Sequence, residues 1–183
     1  MLIAGIDYSL NGPAVCVFHG SEYFAFDRCQ FYYLTDIKKN ASTFFGNIQG
    51  QLFKDYKEEC ERYDSISDWV MGVVGECEQV AIEGYAYGAQ GRVFHIAENT
   101  GILKYKLYEA SIPLEVVTPS HVKKLASGKG NADKTMMYES FLKETGIKLK
   151  DTISPNKKDI GNPVSDIVDA YYICKNLYLK LKS

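Results

Sequence analysis

Four carboxylates in this chain stand where a phosphate-processing site would need them. Asp7 ends the apolar run Leu2-Ile3-Ala4-Gly5-Ile6, and Glu83 ends a second one, Val80-Ala81-Ile82. Asp166 and Asp169 open the last helical segment, three residues apart. Strand ends on one edge of a sheet converge in space, and an i, i+3 pair presents both side chains from one helix face. Acids gathered in this way repel one another and raise each other's pKa values unless cations compensate. Magnesium or manganese is the natural compensation, because both are hard ions that take oxygen ligands and retain water. Two such ions about 4 Å apart can clamp the attacking and leaving oxygens of an in-line phosphoryl displacement. The acids then serve as ligands, not as proton carriers. Each has a plainer reading alone: Asp7 and Glu83 as strand-end turn residues, Asp166 and Asp169 as a solvated pair complementing a helix dipole. The joint pattern points to a metal-dependent nuclease.

Basic and aromatic residues flank the acids. Lys123 and Lys124 sit on a short helical stretch that runs into Ser127-Gly128-Lys129-Gly130-Asn131, and a new helix begins near Asp133 with Lys134 behind it. A glycine turn lets backbone approach a phosphate, and a helix N-terminus can face an anion. The plainer reading is a lysine-rich surface loop. Tyr85, Tyr87 and Arg92, among the glycines at 84, 88 and 91, directly follow Glu83. An aromatic loop beside a metal site can stack on an unpaired base; with fourteen tyrosines in the chain, packing is the alternative role.

The elements that must position these residues follow from period and punctuation. Leu2–Asp7 reads as a buried strand, Asn11-Gly12-Pro13 as a turn, residues 14–18 as a second strand and 23–33 as a third, antiparallel to its neighbour. Residues 44–63 and 66–78 read as helices weakened by Gly46, Gly50, Gly72 and Gly75. Gln79–Glu83 is a strand, Val93–Glu109 a helix and residues 113–117 a strand. From Pro119 onward the chain is helical apart from loops near 127–131 and 146–162. In the final helix Asn162 suits the N-cap and Pro163 the first turn. Val164, Ile167, Val168, Tyr171, Cys174, Tyr178 and Leu181 form one apolar stripe, with Asp166 and Asp169 side by side on its margin. The expected class is α/β: a mixed sheet of five strands flanked by helices, in one domain over residues 1–183.

Composition sets bounds. Hydrophobic residues make up 46% and charged residues 24%, ordinary for a globular protein. No apolar run suits a membrane span, and the start does not read as a signal peptide. Five cysteines without a CxxC pair, with three histidines, argue against zinc and for a reducing cytoplasm, bacterial or that of a phage-infected host. The net charge of −2 speaks against a strongly basic nucleic-acid binder. However, acid concentrates between Asp55 and Asp68 and at the candidate metal site, while lysine recurs over 123–134 and 143–158.

Four stretches together resemble the RuvC family of Holliday-junction resolvases, within the RNase H-like superfamily. They are Ile3-Ala4-Gly5-Ile6-Asp7-Tyr8-Ser9, Val80-Ala81-Ile82-Glu83, the run from Val122 to Lys134, and Asn162-Pro163-Val164-Ser165-Asp166-Ile167-Val168-Asp169-Ala170. The resemblance implies an RNase H-like fold, with Asp7, Glu83, Asp166 and Asp169 as catalytic acids holding two Mg²⁺ or Mn²⁺ ions. It also implies Lys123 and Lys134 near the scissile phosphate, and a homodimer formed through the helix Val93–Glu109. The implied activity is paired, symmetrical nicking of a four-way DNA junction. Tyr8-Ser9-Leu10-Asn11 lacks the family's proline-glycine, the interval from Asp7 to Glu83 is long, and the aromatic after Glu83 is doubled. These departures suggest a divergent phage- or virus-type member. Broader cutting of forks, flaps and Y-junctions, or of RNA, and a non-catalytic junction binder are the alternatives. An ATP-binding fragment of the sugar-kinase type is disfavoured, because the chain is too short for two lobes.

Overall fold

Strand β1 (Leu2–Asp7) is apolar on both faces because both faces are covered. Ile3 enters one buried cluster, while Ala4 and Ile6 enter another on the opposite side, the period-two alternation of a central strand. The computed structural model describes residues 1–20, 22–84 and 93–183. Around β1 the strands β2 (Ala14–His19), β3 (Cys29–Thr35), β4 (Thr43–Phe44), β5 (Ile48–Leu52), β6 (Gln79–Glu83) and β7 (Leu114–Val117) form one mixed sheet in the order β4-β5-β3-β2-β1-β6-β7. β1, β2 and β3 are an antiparallel meander, whereas β6 runs parallel to β1, and β7 to β6.

One face of the sheet is covered by α1 (Glu59–Val74) and α2 (Val93–Glu109). The other carries α4 (Lys134–Thr145), α5 (Leu149–Ile153) and α6 (Val164–Lys182), with α3 (Pro119–Ser127) beside them. α6 lies directly on β1. Gly5 permits this: a Cβ there would overlap the Cys174 backbone nitrogen and the Ala170 carbonyl. Below this crossing the face is aromatic, with Phe24 in ring contact with Phe18, Tyr171 and Tyr178, and Phe18 with Tyr178.

The expected α/β class holds, but the sheet has seven strands, not five. β1, β2, β3, β6 and β7 are the expected five, and β5 with Phe44 of β4 comes from residues expected to be helical. The reason lies in the backbone: Phe45 and Gly46 adopt positive φ, 52° and 75°, and turn the chain back between the two short strands. Gly50 then fits where a Cβ would strike the Asn40 carbonyl and the Tyr33 ring. α1 is a single helix where two were expected, since Tyr63, Ile66, Val70 and Val74 keep one buried face across the proposed break. The third strand starts at Cys29; Phe24 and Phe26 before it pack on the core without joining the ladder. The loop over 146–162 contains α5. Pro163, not Asn162, is the residue flanking α6, and the Asn162 side chain lines the cleft described next. Among the described residues no helix is long and apolar enough to cross a membrane.

Candidate active site

β1 and β6 bring the first two acids together. Their parallel register pairs Ile6 with Ile82, so Asp7 and Glu83 end neighbouring strands at the same sheet edge. Asp7 shares strand parity with Ile3 and Gly5, and Glu83 with Ala81, so both carboxylates leave the sheet on the α6 side. α6 crosses β1 there, and its first two turns deliver Asp166 and Asp169. Asp7, Asp166 and Asp169 line one cleft of about 380 Å³ with Lys134, Asn162, Ser9 and Asn11. Glu83 stands outside this lining but interacts electrostatically with Asp7 and Asp169.

The turn between β1 and β2 forms the cleft's rim. The Gly12 N–H donates to Ser9 Oγ at 3.0 Å, and a Cβ at Gly12 would overlap Asp166 Oδ2 and the Asn162 amide. Arg62 of α1 braces this turn by donating to the Leu10 carbonyl and to Asn11 Oδ1, both at 2.9 Å. Beside Asp7, the Tyr8 hydroxyl donates to the buried Asn99 of α2 at 3.0 Å.

Electrostatics separates these acids from ordinary surface carboxylates. Burial, then Asp166, Asp169 and Glu83, raises the Asp7 carboxyl well above its usual range, with Lys134 opposing. Glu83 is pushed up to about 7 by burial and Asp169, against Lys123. Asp166 rises to about 7, chiefly through burial, although Ser165 and Lys134 pull the other way. Asp169 rises to about 6 through burial, opposed by Lys134 and Lys123. Lys134, Lys123 and Lys157 oppose these shifts without cancelling them.

The donor set suits a hard divalent cation. All the donors are oxygens, and Asp166 Oδ2 is buried without a hydrogen-bond partner, a cost that coordination would remove. Among the described residues no three Asp, Glu, His or Cys side chains form a set placed to hold a metal ion. Magnesium does not need one: it keeps several waters and commonly takes one or two carboxylates together with substrate phosphates.

The lysines divide into two groups. Lys134 reaches the cleft, with Nζ 3.3 Å from Ser165 Oγ, and Lys123 is close enough to act on Glu83 and Asp169. Lys124 and Lys129 are exposed and outside the cleft lining. The glycine turn between them ends α3: Gly128 has φ 79° and its N–H caps the Lys124 carbonyl, the common left-handed helix stop. The N-terminus of α4 is likewise satisfied internally, since Asp133 Oδ1 accepts from the Met136 N–H at 2.8 Å. Tyr85, Tyr87 and Arg92 lie outside the described residues. Sequence reasoning missed Gly12, Arg62 and Ser165; a serine beside an acid in a helix's first turn was the one local sign.

The sheet order and the crossing of α6 make an α/β fold similar to that of RuvC. The structure of Thermus thermophilus RuvC matches with a TM-score of 0.64 at 18% identity, covering 100% of this chain and 97% of that one. T. thermophilus RuvC in complex with a Holliday junction substrate matches with 0.65 at 18%, covering 100% and 96%. Fowlpox virus resolvase, in complex with substrate Holliday junction DNA, matches with 0.54 at 14%, covering 100% of both chains. No family model matches the sequence, and no curated protein matches it. At these identities the likeness establishes the fold, and the expected RuvC-like architecture is borne out at that level.

Proposed function

We propose that this protein is a divalent-metal-dependent, structure-selective DNA endonuclease that resolves four-way junctions by paired symmetrical nicks, its single nuclease domain spanning residues 1–183. The observation that carries the reading is the convergence of Asp7, Asp166 and Asp169 in one cleft with Glu83 beside it, Asp166 Oδ2 being buried and unpartnered. Both T. thermophilus RuvC and fowlpox virus resolvase have been captured with Holliday junction DNA, which supports the substrate class.

Asp7, Glu83, Asp166 and Asp169 hold Mg²⁺ or Mn²⁺, two ions per site. Bound there, the ions supply charge stabilisation to an in-line phosphodiester hydrolysis. Lys134 and Lys123 contact the phosphate, and the Arg62-braced turn fixes the rim of the cleft.

Cutting two opposed strands calls for two sites, and α2 offers the surface for a second copy. Phe94, Tyr105 and Tyr108 are 76%, 59% and 80% exposed, and their spacing puts them on one helix face. Ile96 of the same helix lines the cleft, so a dimer through α2 joins the two sites rigidly.

The test is incubation with an end-labelled four-way junction, a fork, a flap and a structured RNA in Mg²⁺. Symmetrical nicks in the junction, at rates above those for the other substrates, are the expected result. Equal rates on all substrates remove the junction preference, and no cutting in Mg²⁺ or Mn²⁺ removes the nuclease assignment.

A further inference from the structure

Ser165 stands between two charged groups that would otherwise pair. Its hydroxyl is 3.3 Å from Lys134 Nζ, 3.1 Å from Asp166 Oδ1 and 3.4 Å from Asn162 Oδ1. A lysine ammonium only donates, so it occupies a lone pair on Ser165 Oγ. The hydroxyl has one proton to give, and the nearer, charged Asp166 oxygen outcompetes the Asn162 amide oxygen for it. The order of donation is therefore Lys134 to Ser165 to Asp166 Oδ1. Among the described residues no ion pair joins Lys134 to a carboxylate. Ser165 is itself buried, at 3% exposure, so water does not replace its hydroxyl.

We infer that Ser165 is a positioning residue: a hydroxyl spacer that keeps Lys134 out of direct ion pairing with Asp166. One Asp166 oxygen is then left free for a divalent cation, and the ammonium free for a substrate phosphate. The second half of the geometry agrees. With Oδ1 held by Ser165, Oδ2 is the unpartnered oxygen, and the Gly12 backbone packs so closely against it that any Cβ would overlap it. Without the hydroxyl, Lys134 closes onto Asp166 as a salt bridge, and a cation has to displace it.

The inference rests on the proposed metal site and is tested by titrating the DNA-free protein with MnCl₂ at pH 8 by calorimetry. Ser165→Ala removes one oxygen from a helix that alanine suits, so the fold is retained. It is expected to weaken Mn²⁺ binding about tenfold, the lower end of the usual loss from removing a metal ligand's hydrogen-bond partner. Ser165→Thr keeps the hydroxyl and retains the wild-type affinity. The discriminating variant is Lys134→Met combined with Ser165→Ala: deleting the competing ammonium restores Mn²⁺ affinity to that of Lys134→Met alone. A merely structural serine gives no such recovery. Wild-type affinity in Ser165→Ala, an Ala-like loss in Ser165→Thr, or a double variant as weak as Ser165→Ala overturns the spacer. If the wild type itself takes up no Mn²⁺, it is the metal-site reading that falls.

Discussion

Helix α6 serves carboxylates at two places along its length, and they are built in opposite ways. In its middle, Glu144 of α4 accepts from Tyr171 at 2.7 Å, Tyr172 at 3.2 Å and Lys175 at 2.6 Å. Both of its oxygens are occupied and a cation sits against it. Near the N-terminus of α6, Asp166 is more deeply buried, keeps one oxygen without a partner and faces other acids. A carboxylate that holds helices together is supplied with donors by the fold. One that works on a ligand is left wanting them.

The sharpest way to break this comparison is to neutralise one acid at each place. Asp166→Asn or Asp7→Asn is expected to cut junction cleavage on the order of a thousandfold or more, given the several kcal/mol a bound cation supplies. Junction binding in a gel-shift assay should survive, since it rests on phosphate contacts. Glu144→Gln should leave cleavage near wild type while lowering stability by about 1–2 kcal/mol in a denaturant titration. Cleavage lost equally in Glu144→Gln and Asp166→Asn would erase the distinction.

Two glycines permit a second contrast. Gly5→Val drives a side chain into the α6 backbone and is expected to cost about 3 kcal/mol or more of stability. Gly12→Ala strikes only Asp166 Oδ2 and Asn162 at the rim. It should lower cleavage and metal affinity while moving the melting temperature much less. A Gly12→Ala protein that cuts normally would show that the turn is not held against Asp166.

The smallest expected effect is on pH dependence. The folded state raises Asp166 and Glu83 to about 7 and Asp169 to about 6, above the ordinary range near 4. Such groups favour the fold fully below their unfolded pKa, and that contribution is lost as pH rises through 6 and 7. The melting temperature of metal-free protein should therefore fall from pH 5.5 to 8 more than that of Asp166→Asn. Over the same interval the stabilisation by Mg²⁺ should grow, because binding needs the carboxylates ionised. A metal-free wild type and Asp166→Asn with the same pH slope would argue against the crowded acids.

Much of this was legible in the chain. Asp7 and Glu83 announce themselves by ending apolar runs, and Asp166 and Asp169 by sharing one helix margin, because both signals are local and periodic. β4 and β5 were not legible: residues 43–52 are broken by Gly46 and Gly50, and their pairing depends on a turn of positive φ and on contacts with Tyr33 and Asn40. Gly12 and Ser165 were hidden for a related reason. The role of Gly12 exists only once a turn near the start of the chain meets a helix about 150 residues later, and that of Ser165 only once α4 brings Lys134 beside α6. Composition also cannot tell an ammonium that reaches a cleft, Lys134, from two that flank a helix stop, Lys124 and Lys129.

The proposed divalent-cation site at Asp7, Asp166 and Asp169 is open to one direct measurement. Anomalous diffraction from crystals grown with MnCl₂ at pH 8 tests it most directly. Manganese peaks are expected within coordination distance of Asp7, Asp166 and Asp169, lost in Asp166→Asn and kept in Glu144→Gln. Manganese bound elsewhere, or an empty cleft in a protein that still cuts junctions, would contradict it.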